Sequence, residues 1–344
     1  MQSNPLSEAF RNFANIECKG SSRLYEFLSL KIAADKEILA LAAYAKKGQP
    51  VPNLLFGAVH FLLLKGKTHS LKAFYPSIVD KPRNDIEESY VEFRDFCDRY
   101  KDEIIPLLQS KLVQTNEVRR CAYLYPTFRY ISDIVKKPLA LIEIGTSAGL
   151  QLLWDKYSYS YDSYAKNEIY GDRNTEVHIT SEIKGENSPP LQGDLPRVAS
   201  RIGIDLHPID LSNDEEYLWL NALIWTEHTQ RRDLFEKAAG CVNSNPVLLI
   251  KGDGVALLPE IAKRISNDHC IGVFHTHVAN QMPLEVKMKL LEQVKLIGKN
   301  RDIFHVYNNI QDRDLHLDYY INGQETVHTI GKTDGHGSWF TWEL

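Results

Sequence analysis

The sequence predicts an α/β protein in which an all-helical N-terminal region precedes a mostly parallel sheet with an antiparallel C-terminal edge. Three observations predict this fold class. Up to residue 135, apolar residues recur with the helical period and no convincing strand occurs. From Pro138 onward, short apolar runs alternate with helical segments, which is the pattern of βαβ units. Near the C-terminus, strand-like segments follow one another with no helix between them.

The helical candidates of the N-terminal region are residues 24–35, 38–44, 54–64, 90–100 and 118–135. The predicted strands are Leu139–Ile144, 202–206, 247–250, 271–274, Ile303–Tyr307, Leu315–Ile321 and 339–342. The helices expected among them are 147–157, 214–225, 231–241, 257–266 and 284–297. We therefore expect a helical region over 1–136 and a sheet domain over 137–344, with an inserted hairpin and loop at about 158–200.

Composition excludes several classes of protein. Apolar residues make up 43% of the 344-residue chain and charged residues 25%, as in ordinary globular proteins. Forty basic and 45 acidic residues give a net charge of −5, so there is no global attraction to nucleic acid or to an anionic membrane. The longest apolar stretch, 54–64, is too short to span a bilayer. The start of the chain lacks signal-peptide features and the five cysteines form no close pair, so we expect a cytoplasmic protein. With no global attraction to nucleic acid or membrane, the partner that we expect is a small-molecule substrate.

The segment that points most directly to function is Glu143-Ile-Gly145-Thr-Ser147-Ala-Gly149-Leu, at the end of the first predicted strand. Small residues let a ligand approach the backbone, and free amides at a helix start can donate hydrogen bonds. An acid followed by small residues at +2, +4 and +6 resembles the first motif of class I, Rossmann-like S-adenosylmethionine-dependent methyltransferases. That resemblance implies S-adenosylmethionine as the cofactor. It also implies that Glu143, Gly145, Ser147 and Gly149 contribute to its binding site.

Two later acids occur in the order that this resemblance implies. Asp205, in Gly203-Ile-Asp205-Leu-His-Pro208, resembles the acid that accepts hydrogen bonds from both ribose hydroxyls. Asp253, in Gly252-Asp253-Gly, resembles the acid that meets the adenine amino group. The alternative for each aspartate is a structural role, in which its carboxylate caps a loop. The spacing departs from the pattern, because Gly149 and Asp205 lie 56 positions apart and the inserted hairpin must supply the excess.

The whole chain also resembles a bacterial domain-of-unknown-function family. This resemblance rests on the segments 114–120, 143–150, 154–157, 219–225 and 274–276. It implies a helical region before a methyltransferase-like domain, and it supplies no reaction.

His275-Thr-His277 ends the fourth predicted strand, where period two would place both imidazoles on one face of the sheet. Under the methyltransferase interpretation this strand end faces the methyl acceptor. We therefore predict His275, with His277 beside it, as the catalytic base. A pair of hydrogen-bonded structural histidines is the alternative. A His-x-His metal grip is less favoured, because no further ligand cluster is evident.

Three more residues are predicted to contact the substrate. Glu117 and Arg120 lie beside a helix start, where Arg120 could clamp a carboxylate of the cofactor or substrate. Tyr157 alternates with Tyr159 and Tyr161 and could form a wall of the acceptor pocket. The alternatives are a solvated surface cap for Glu117 and Arg120, and a strand that buries one aromatic face for the tyrosines.

Two other functions stay open. Gly145-Thr-Ser147-Ala-Gly149 also matches the G-x-S-x-G nucleophile elbow of α/β-hydrolases, with Asp253 and His275 or His336 completing a triad. That interpretation requires sheet strands before the elbow, where only helices are predicted. The remaining possibility is a non-catalytic protein that binds a nucleotide-like ligand or a partner.

Overall fold

The computed structural model describes residues 4–114, 116–162 and 168–344. The chain folds into two compact units. The helical unit comprises Met1–Thr115 and Asn213–Asp233, and the sheet unit comprises Asn116–Ser212 and Leu234–Leu344. Residues 116–136, at the end of the predicted helical region, therefore belong to the sheet unit, and 213–233 belong to the helical unit.

The α-helices are α1 Pro5–Asn12, α2 Arg23–Ile32, α3 Lys36–Ala42, α4 Val51–Leu64, α5 Ile86–Arg99, α6 Lys101–Ser110, α7 Cys121–Val135, α8 Asp214–Leu223, α9 Thr229–Ser244, α10 Gly254–Arg264 and α11 Leu284–Gly298. The strands are β1 Leu139–Ile144, β2 Ser158–Tyr161, β3 Tyr170–Gly171, β4 His178–Lys184, β5 Val198–Asp205, β6 Leu248–Lys251, β7 Cys270–Phe274, β8 Ile303–Tyr307, β9 Leu315–Ile321, β10 Gln324–Gly331 and β11 Trp339–Thr341. A π-helical turn covers Phe13–Cys18, and 3-10 turns cover Ser70–Phe74, Val118–Arg120, Leu150–Lys156 and Val278–Gln281. No described helix has the length and apolarity needed to cross a membrane.

The helical unit is built around the buried helix α4. Tyr25 stacks on Phe56 with ring centroids 4.2 Å apart, at the centre of an aromatic core. α8 packs on the same helix at Gly57, where a Cβ atom would lie 2.9 Å from Leu223 Cδ2 and 3.4 Å from the Trp219 ring. The missing side chain of Gly57 therefore allows the two helices to approach closely, which explains why 213–233 belongs to this unit.

The sheet unit contains a seven-stranded sheet in the order β10-β9-β8-β7-β1-β5-β6. β6, β5, β1, β7 and β8 pair in parallel, and β9 and β10 add two antiparallel strands at one edge. The mostly parallel sheet with an antiparallel C-terminal edge is thus confirmed. On one face, apolar side chains of β1, β7 and β8 pack against α10 and α11. On the other face, Phe128 of α7 contacts Trp154, Phe274 and Phe304, with ring centroids 4.9–5.8 Å apart.

The strand order creates one topological switch point. The chain runs from β1 outward to β5 and β6, and then returns to the other side of β1 to form β7 and β8. Ligands of open α/β sheets bind at the carboxyl ends of the strands where the order reverses. In this chain that place is the crevice between the loops that follow β1 and β7.

One C-terminal prediction is wrong, and one C-terminal strand was not predicted. Residues 339–341 do not extend the main sheet. β11 instead pairs with β4 in a second sheet of order β11-β4-β2-β3, so the insertion is more than a hairpin and loop. The strand β10 was not predicted, although the two-residue turn Asn322-Gly323, with φ of 52° and 77°, has the sequence and geometry of a tight hairpin. Residues 163–167 of the insertion lie outside the described residues.

Candidate functional site

In the loop after β1, every second residue has a left-handed backbone conformation. φ is 74° at Gly145, 51° at Ser147 and 77° at Gly149. These three turns delay the next helical segment until Leu150, and that segment is a 3-10 turn in place of the predicted helix over 147–157. The loop is held by β5, because the Gly145 amide donates to the Ile204 carbonyl at 2.8 Å.

Asp205, at the end of β5, braces this loop through both of its carboxylate oxygens. Oδ2 accepts the Ser147 amide at 2.9 Å and Oδ1 accepts the His207 amide at 2.8 Å. Asp253, at the end of β6, caps α10 by accepting the amides of Val255 at 2.9 Å and Ala256 at 3.2 Å on Oδ1. Both acids therefore lie at strand ends, as predicted, and both cap backbone amides.

Glu143 is buried beneath the loop. Its carboxyl accepts a hydrogen bond from Thr146 Oγ1 at 2.6 Å. Burial, reinforced by the negative charge of Asp205, raises its pKa to about 8, against the lowering effects of the Thr146 hydrogen bond and the charge of Arg120. The side chain is therefore a neutral acid at pH 7.

Gly145 lies against Val278 of the 3-10 turn after β7. A Cβ atom at Gly145 would come within 2.5 Å of Val278 Cγ2. The small residue here is thus required both by the positive φ and by close packing across the switch point. Val278 covers this part of the loop, so a ligand that contacts the Gly145 backbone must displace it.

Ser147 does not have the surroundings of a nucleophile. Its side chain is buried, and its Oγ atom has no hydrogen-bond partner among the described residues. Asp253 is engaged in capping α10, and no imidazole bonds to the serine, so the described residues form no catalytic triad around it. Within 4–114 and 116–138 the structure contains no strand that could precede β1 in a hydrolase sheet.

Arg120 reaches the switch point from the turn before α7. Its Nε donates to the Gly335 carbonyl at 2.9 Å, and one terminal nitrogen donates to the Thr276 carbonyl at 3.4 Å and to Thr276 Oγ1 at 3.3 Å. Thr276 Oγ1 in turn donates to Gln151 Oε1 at 2.9 Å, and Gln151 Nε2 donates to the Glu117 carbonyl at 3.1 Å. Arg120 thus meets the segment that follows β7, and the Glu117 backbone joins the same hydrogen-bond network through Gln151.

The two histidines after β7 have different surroundings. β7 ends at Phe274, and the left-handed φ of 65° at His277 turns the chain, so the strand periodicity that would align the two rings is lost. His275 is fully buried, with its ring centroid 5.2 Å from that of His305. His277 is half-buried, and its Cε1 atom lies 3.7 Å from the position of a Cβ at Gly335. The prediction that both imidazoles share one face through period two is wrong.

Desolvation controls the charge of both rings. Burial, with the positive charge of Lys287, lowers the pKa of His275 to about 3. Burial, with the charges of Arg120 and His336, lowers the pKa of His277 to about 3. Both are therefore neutral at pH 7. His277 donates its amide to Asn308 Oδ1 at 2.9 Å, and its Nε2 is buried without a hydrogen-bond partner among the described residues.

Tyr157 lies inside the sheet unit. It is fully buried and donates its hydroxyl to the Leu150 carbonyl at 2.7 Å. Tyr159 and Tyr161 are buried as well, and Tyr161 donates to the Ala122 carbonyl at 2.8 Å. These contacts are those of aromatic residues packed in a core, and Tyr157 presents no surface to an acceptor in this conformation.

Three residues at this site, Asn116, Gln151 and Thr276, were not predicted to take part, and a fourth, His336, was considered only as a member of a hydrolase triad. Asn116 Nδ2 donates to the Thr146 carbonyl at 3.0 Å, Gln151 and Thr276 bridge Arg120 to Glu117, and His336 Nδ1 lies 3.4 Å from Glu117 Oε2. Thr276 stands between the two predicted histidines, and Gly335-His336-Gly337 is a local turn signal. Their convergence depends on contacts between distant parts of the chain, which local pattern does not contain.

An open cavity of about 420 Å³ flanks the loop on the side of β5 and β6. It is lined by the segment that follows Asp205, residues 208–212, together with Ala148, Val242, Val247 and Leu249 among others. No group of three or more His, Cys, Asp or Glu side chains within the described parts of the chain is placed to hold a metal ion.

A family model described as "Uncharacterized protein conserved in bacteria (DUF2332)" matches residues 7–342. No curated protein and no solved structure matches the chain. The family description assigns no reaction, so the chemistry of the site has to carry the functional argument.

Proposed function

We propose that this chain, which belongs to the DUF2332 family of proteins conserved in bacteria, is an S-adenosylmethionine-dependent methyltransferase acting on a small-molecule acceptor. One arrangement carries the proposal. Glu143, Asp205 and Asp253 end three adjacent parallel strands around a loop with three left-handed residues, beside the switch point of the sheet. This is the position at which open α/β sheets bind nucleotide ligands.

The polar groups fit an adenosine ligand. A carboxylate offers about four lone-pair positions, and Asp205 uses two of them on amides. The remaining positions of this half-buried side chain suit a vicinal diol. Asp253 is exposed and caps α10 through one oxygen, which leaves Oδ2 for an amino group. The cavity beside Ala148 offers apolar surface for a planar base next to the segment that follows Asp205.

The bound cofactor would supply a methyl group already activated on a sulfonium. The protein's tasks are therefore to position the acceptor and, where the acceptor carries a proton, to remove it. His275 has no exposed surface, so His277 is the residue of the predicted pair that can take this proton from an acceptor at the switch point. A negatively charged acceptor beside His277 would raise the pKa of this imidazole from its low value and make it a stronger base.

The two alternatives differ from this proposal in what they require. A serine hydrolase needs an exposed, base-activated Ser147, whereas its Oγ is buried and bonds to no described residue. A non-catalytic ligand-binding protein needs only the cofactor-type site. It is distinguished by S-adenosylmethionine binding without turnover.

The test is calorimetric titration of the full chain with S-adenosylmethionine and S-adenosylhomocysteine. We expect both ligands to bind. Asp205→Ala should weaken binding about 10- to 100-fold through loss of charge-assisted hydrogen bonds. Asp172→Ala is the matched control, because Asp172 also accepts a turn amide, from Asn174 at 2.9 Å, but lies outside the loops that follow β1, β5 and β6. Absence of binding to the wild-type protein at millimolar ligand would reject the cofactor assignment.

A further inference from the structure

We propose that Arg120 and His277 form a binding subsite for a carboxylate group at the ends of β1 and β7. The subsite rests on the geometry of these side chains and does not require the proposed cofactor. Its ligand is a carboxylate carried either by the acceptor substrate or by the amino-acid part of a bound cofactor. Both sources present the same group to the same donors.

Arg120 is a buried cation that forms no ion pair with a described carboxylate. It is 6% exposed, and its hydrogen bonds go to two carbonyls and one hydroxyl. Across 4–114, 116–162 and 168–344, no carboxylate lies within ion-pair distance of it, and its second terminal nitrogen makes no hydrogen bond. Burying a guanidinium is costly unless an anion compensates its charge. The Arg120 guanidinium is therefore suited to bind an anionic ligand.

Arg129 shows how a purely structural arginine is satisfied in the same unit. It is 4% exposed, and its donors are used on a single loop: Nε bonds to the Pro190 carbonyl at 3.2 Å, and the terminal nitrogens bond to the carbonyls of Gly193 at 3.2 Å, of Asp194 at 2.8 Å and of Gln192. Both terminal nitrogens of Arg129 are engaged. Toward the described residues, Arg120 uses only one of its two terminal nitrogens, at 3.3–3.4 Å, and so retains a free donor edge.

His277 supplies the second donor. Arg120 Nε bonds to the Gly335 carbonyl, and the His277 ring lies against the same glycine, so the two side chains converge on Gly335. The imidazole Nε2 is buried without a partner in the described residues. A neutral imidazole can carry its proton on Nε2 and donate it. A fork of guanidinium N–H groups and one imidazole N–H matches the two oxygens of a carboxylate.

The neighbouring acids favour a singly charged ligand. Glu117 faces His336, with 3.4 Å between Oε2 and Nδ1. Asp334 Oδ2 accepts the amides of His336 and Ser338 and the Ser338 hydroxyl. With these two carboxylates close to the subsite, a dianion such as phosphate would meet more repulsion than a carboxylate does.

The experiment measures the binding of four probes to the full chain by ligand-observed NMR and calorimetry. The probes are propionate (a singly charged carboxylate), inorganic phosphate, S-adenosylmethionine and 5′-methylthioadenosine, which lacks the amino-acid part. Variants are Arg120→Gln, Arg120→Lys, His277→Ala and the control Arg129→Gln. Thermal unfolding checks that each variant folds. His277→Ala keeps the test valid if Arg120→Gln does not fold, because the Nε2 of its ring bonds to no described residue.

Two results support the subsite and separate its sources. If propionate binds wild type more tightly than phosphate does, and binds Arg120→Gln and His277→Ala at least tenfold more weakly than it binds wild type, the acceptor supplies the carboxylate. If instead S-adenosylmethionine loses affinity in these variants while 5′-methylthioadenosine does not, the cofactor supplies it. The ligand affinity of Arg120→Lys should lie between those of wild type and Arg120→Gln. Arg129→Gln should lower thermal stability without changing ligand affinity.

Two results overturn the subsite: unchanged affinity for every probe in both Arg120→Gln and His277→Ala, or equal loss of affinity for the two adenosine ligands with no propionate binding. The proposed function is tested by a separate result. If wild type binds propionate but neither adenosine ligand, the carboxylate subsite stands without a methyltransferase cofactor.

Discussion

The Ser147 amide donates to Asp205 Oδ2 at 2.9 Å, so the acid that ends β5 holds the loop that follows β1. The same loop is fixed a second time, because the Ile209 amide donates to the Ser147 carbonyl at 3.0 Å. Ser147 is thus held by both of its backbone polar groups in a left-handed conformation that L residues adopt at a cost. Its hydroxyl contributes no hydrogen bond to a described residue.

Ser147→Gly should therefore stabilise the sheet unit. Glycine adopts φ near 51° without strain, and the change also removes a buried, unpartnered hydroxyl. We expect a gain of about 1 kcal/mol, reduced by the larger backbone entropy of glycine in the unfolded chain. Denaturant unfolding measures it. Lys136→Gly is the control, because Lys136 has the same φ of 51° at the exposed end of α7.

Both variants should gain stability. Ser147→Gly, although it lies in the proposed cofactor loop, should keep S-adenosylmethionine affinity within a few-fold of wild type, as Lys136→Gly should. Labelling of Ser147 by a fluorophosphonate probe would contradict this interpretation and revive the hydrolase.

Gly145 and Val278 should be energetically coupled. A Cβ at Gly145 would lie 2.5 Å from Val278 Cγ2, so Gly145→Ala should destabilise by a few kcal/mol through overlap and the left-handed φ of 74°. Val278→Ala alone should cost less. The double variant should be more stable than the sum of the single effects predicts, because the truncated Val278 leaves room for the new methyl group.

A double-mutant cycle of unfolding free energies measures this coupling. Additive effects would mean that backbone strain alone explains why position 145 requires glycine. Val278→Ala also uncovers the Gly145 backbone, so we expect it to raise S-adenosylmethionine affinity if the cofactor contacts that part of the loop.

The parallel part of the sheet was predictable because its signals are local. Short apolar runs followed by Gly145, Asp205 and Asp253 mark buried strands that end at polar loops, and their alternation with helices gives the parallel topology. The strand β10 has a local signal as well, in Asn322-Gly323. The hairpin that contains it was therefore also predictable from the sequence.

Other features could not be predicted, because they depend on pairing between distant segments. β4 pairs with β11 at the far end of the chain, and Arg120 meets Thr276 and Gly335 only when the sheet has formed. The 3-10 turn after Gly149 follows from three left-handed turns, one of them at a serine, where residue type alone does not indicate a positive φ.

His305 should make the sheet unit sensitive to acid. It is fully buried beside His275, and neither of its ring nitrogens bonds to a described residue. Desolvation, with the nearby His275, lowers the pKa of His305 well below that of an unfolded chain. The unfolded state therefore takes up protons below about pH 6.5 while the folded state does not, so stability is full above that pH and is lost as the pH falls.

His305→Leu removes one imidazole of the buried His275–His305 pair. Its stability should fall less steeply than that of wild type between pH 6.5 and 4, as measured by denaturant unfolding at each pH. His207→Leu is the control, because His207 is exposed. Parallel pH profiles for wild type and His305→Leu would show that the buried His305 ring does not contribute to the loss of stability at low pH.

Glu143 should produce the opposite dependence at higher pH. Burial raises its pKa to about 8, whereas an unfolded glutamate titrates near 4.5. Between these values the folded state holds a proton that the unfolded state has released. The free energy of unfolding should therefore decrease as the pH rises from 5 to 8, with a slope of up to about 1.4 kcal/mol per pH unit.

Glu143→Gln keeps the shape of the neutral acid and removes its titration. Relative to wild type, this variant should gain stability steadily as the pH rises from 5 to 8. Hydrogen exchange of the β1 amides measures the difference within the sheet unit. Glu182→Gln is the control, because that side chain is 49% exposed and its carboxylate stays hydrated in the folded state. A Glu143→Gln profile parallel to that of wild type would mean that Glu143 is ionised in the folded protein, and that the charge of Arg120 outweighs the cost of burial.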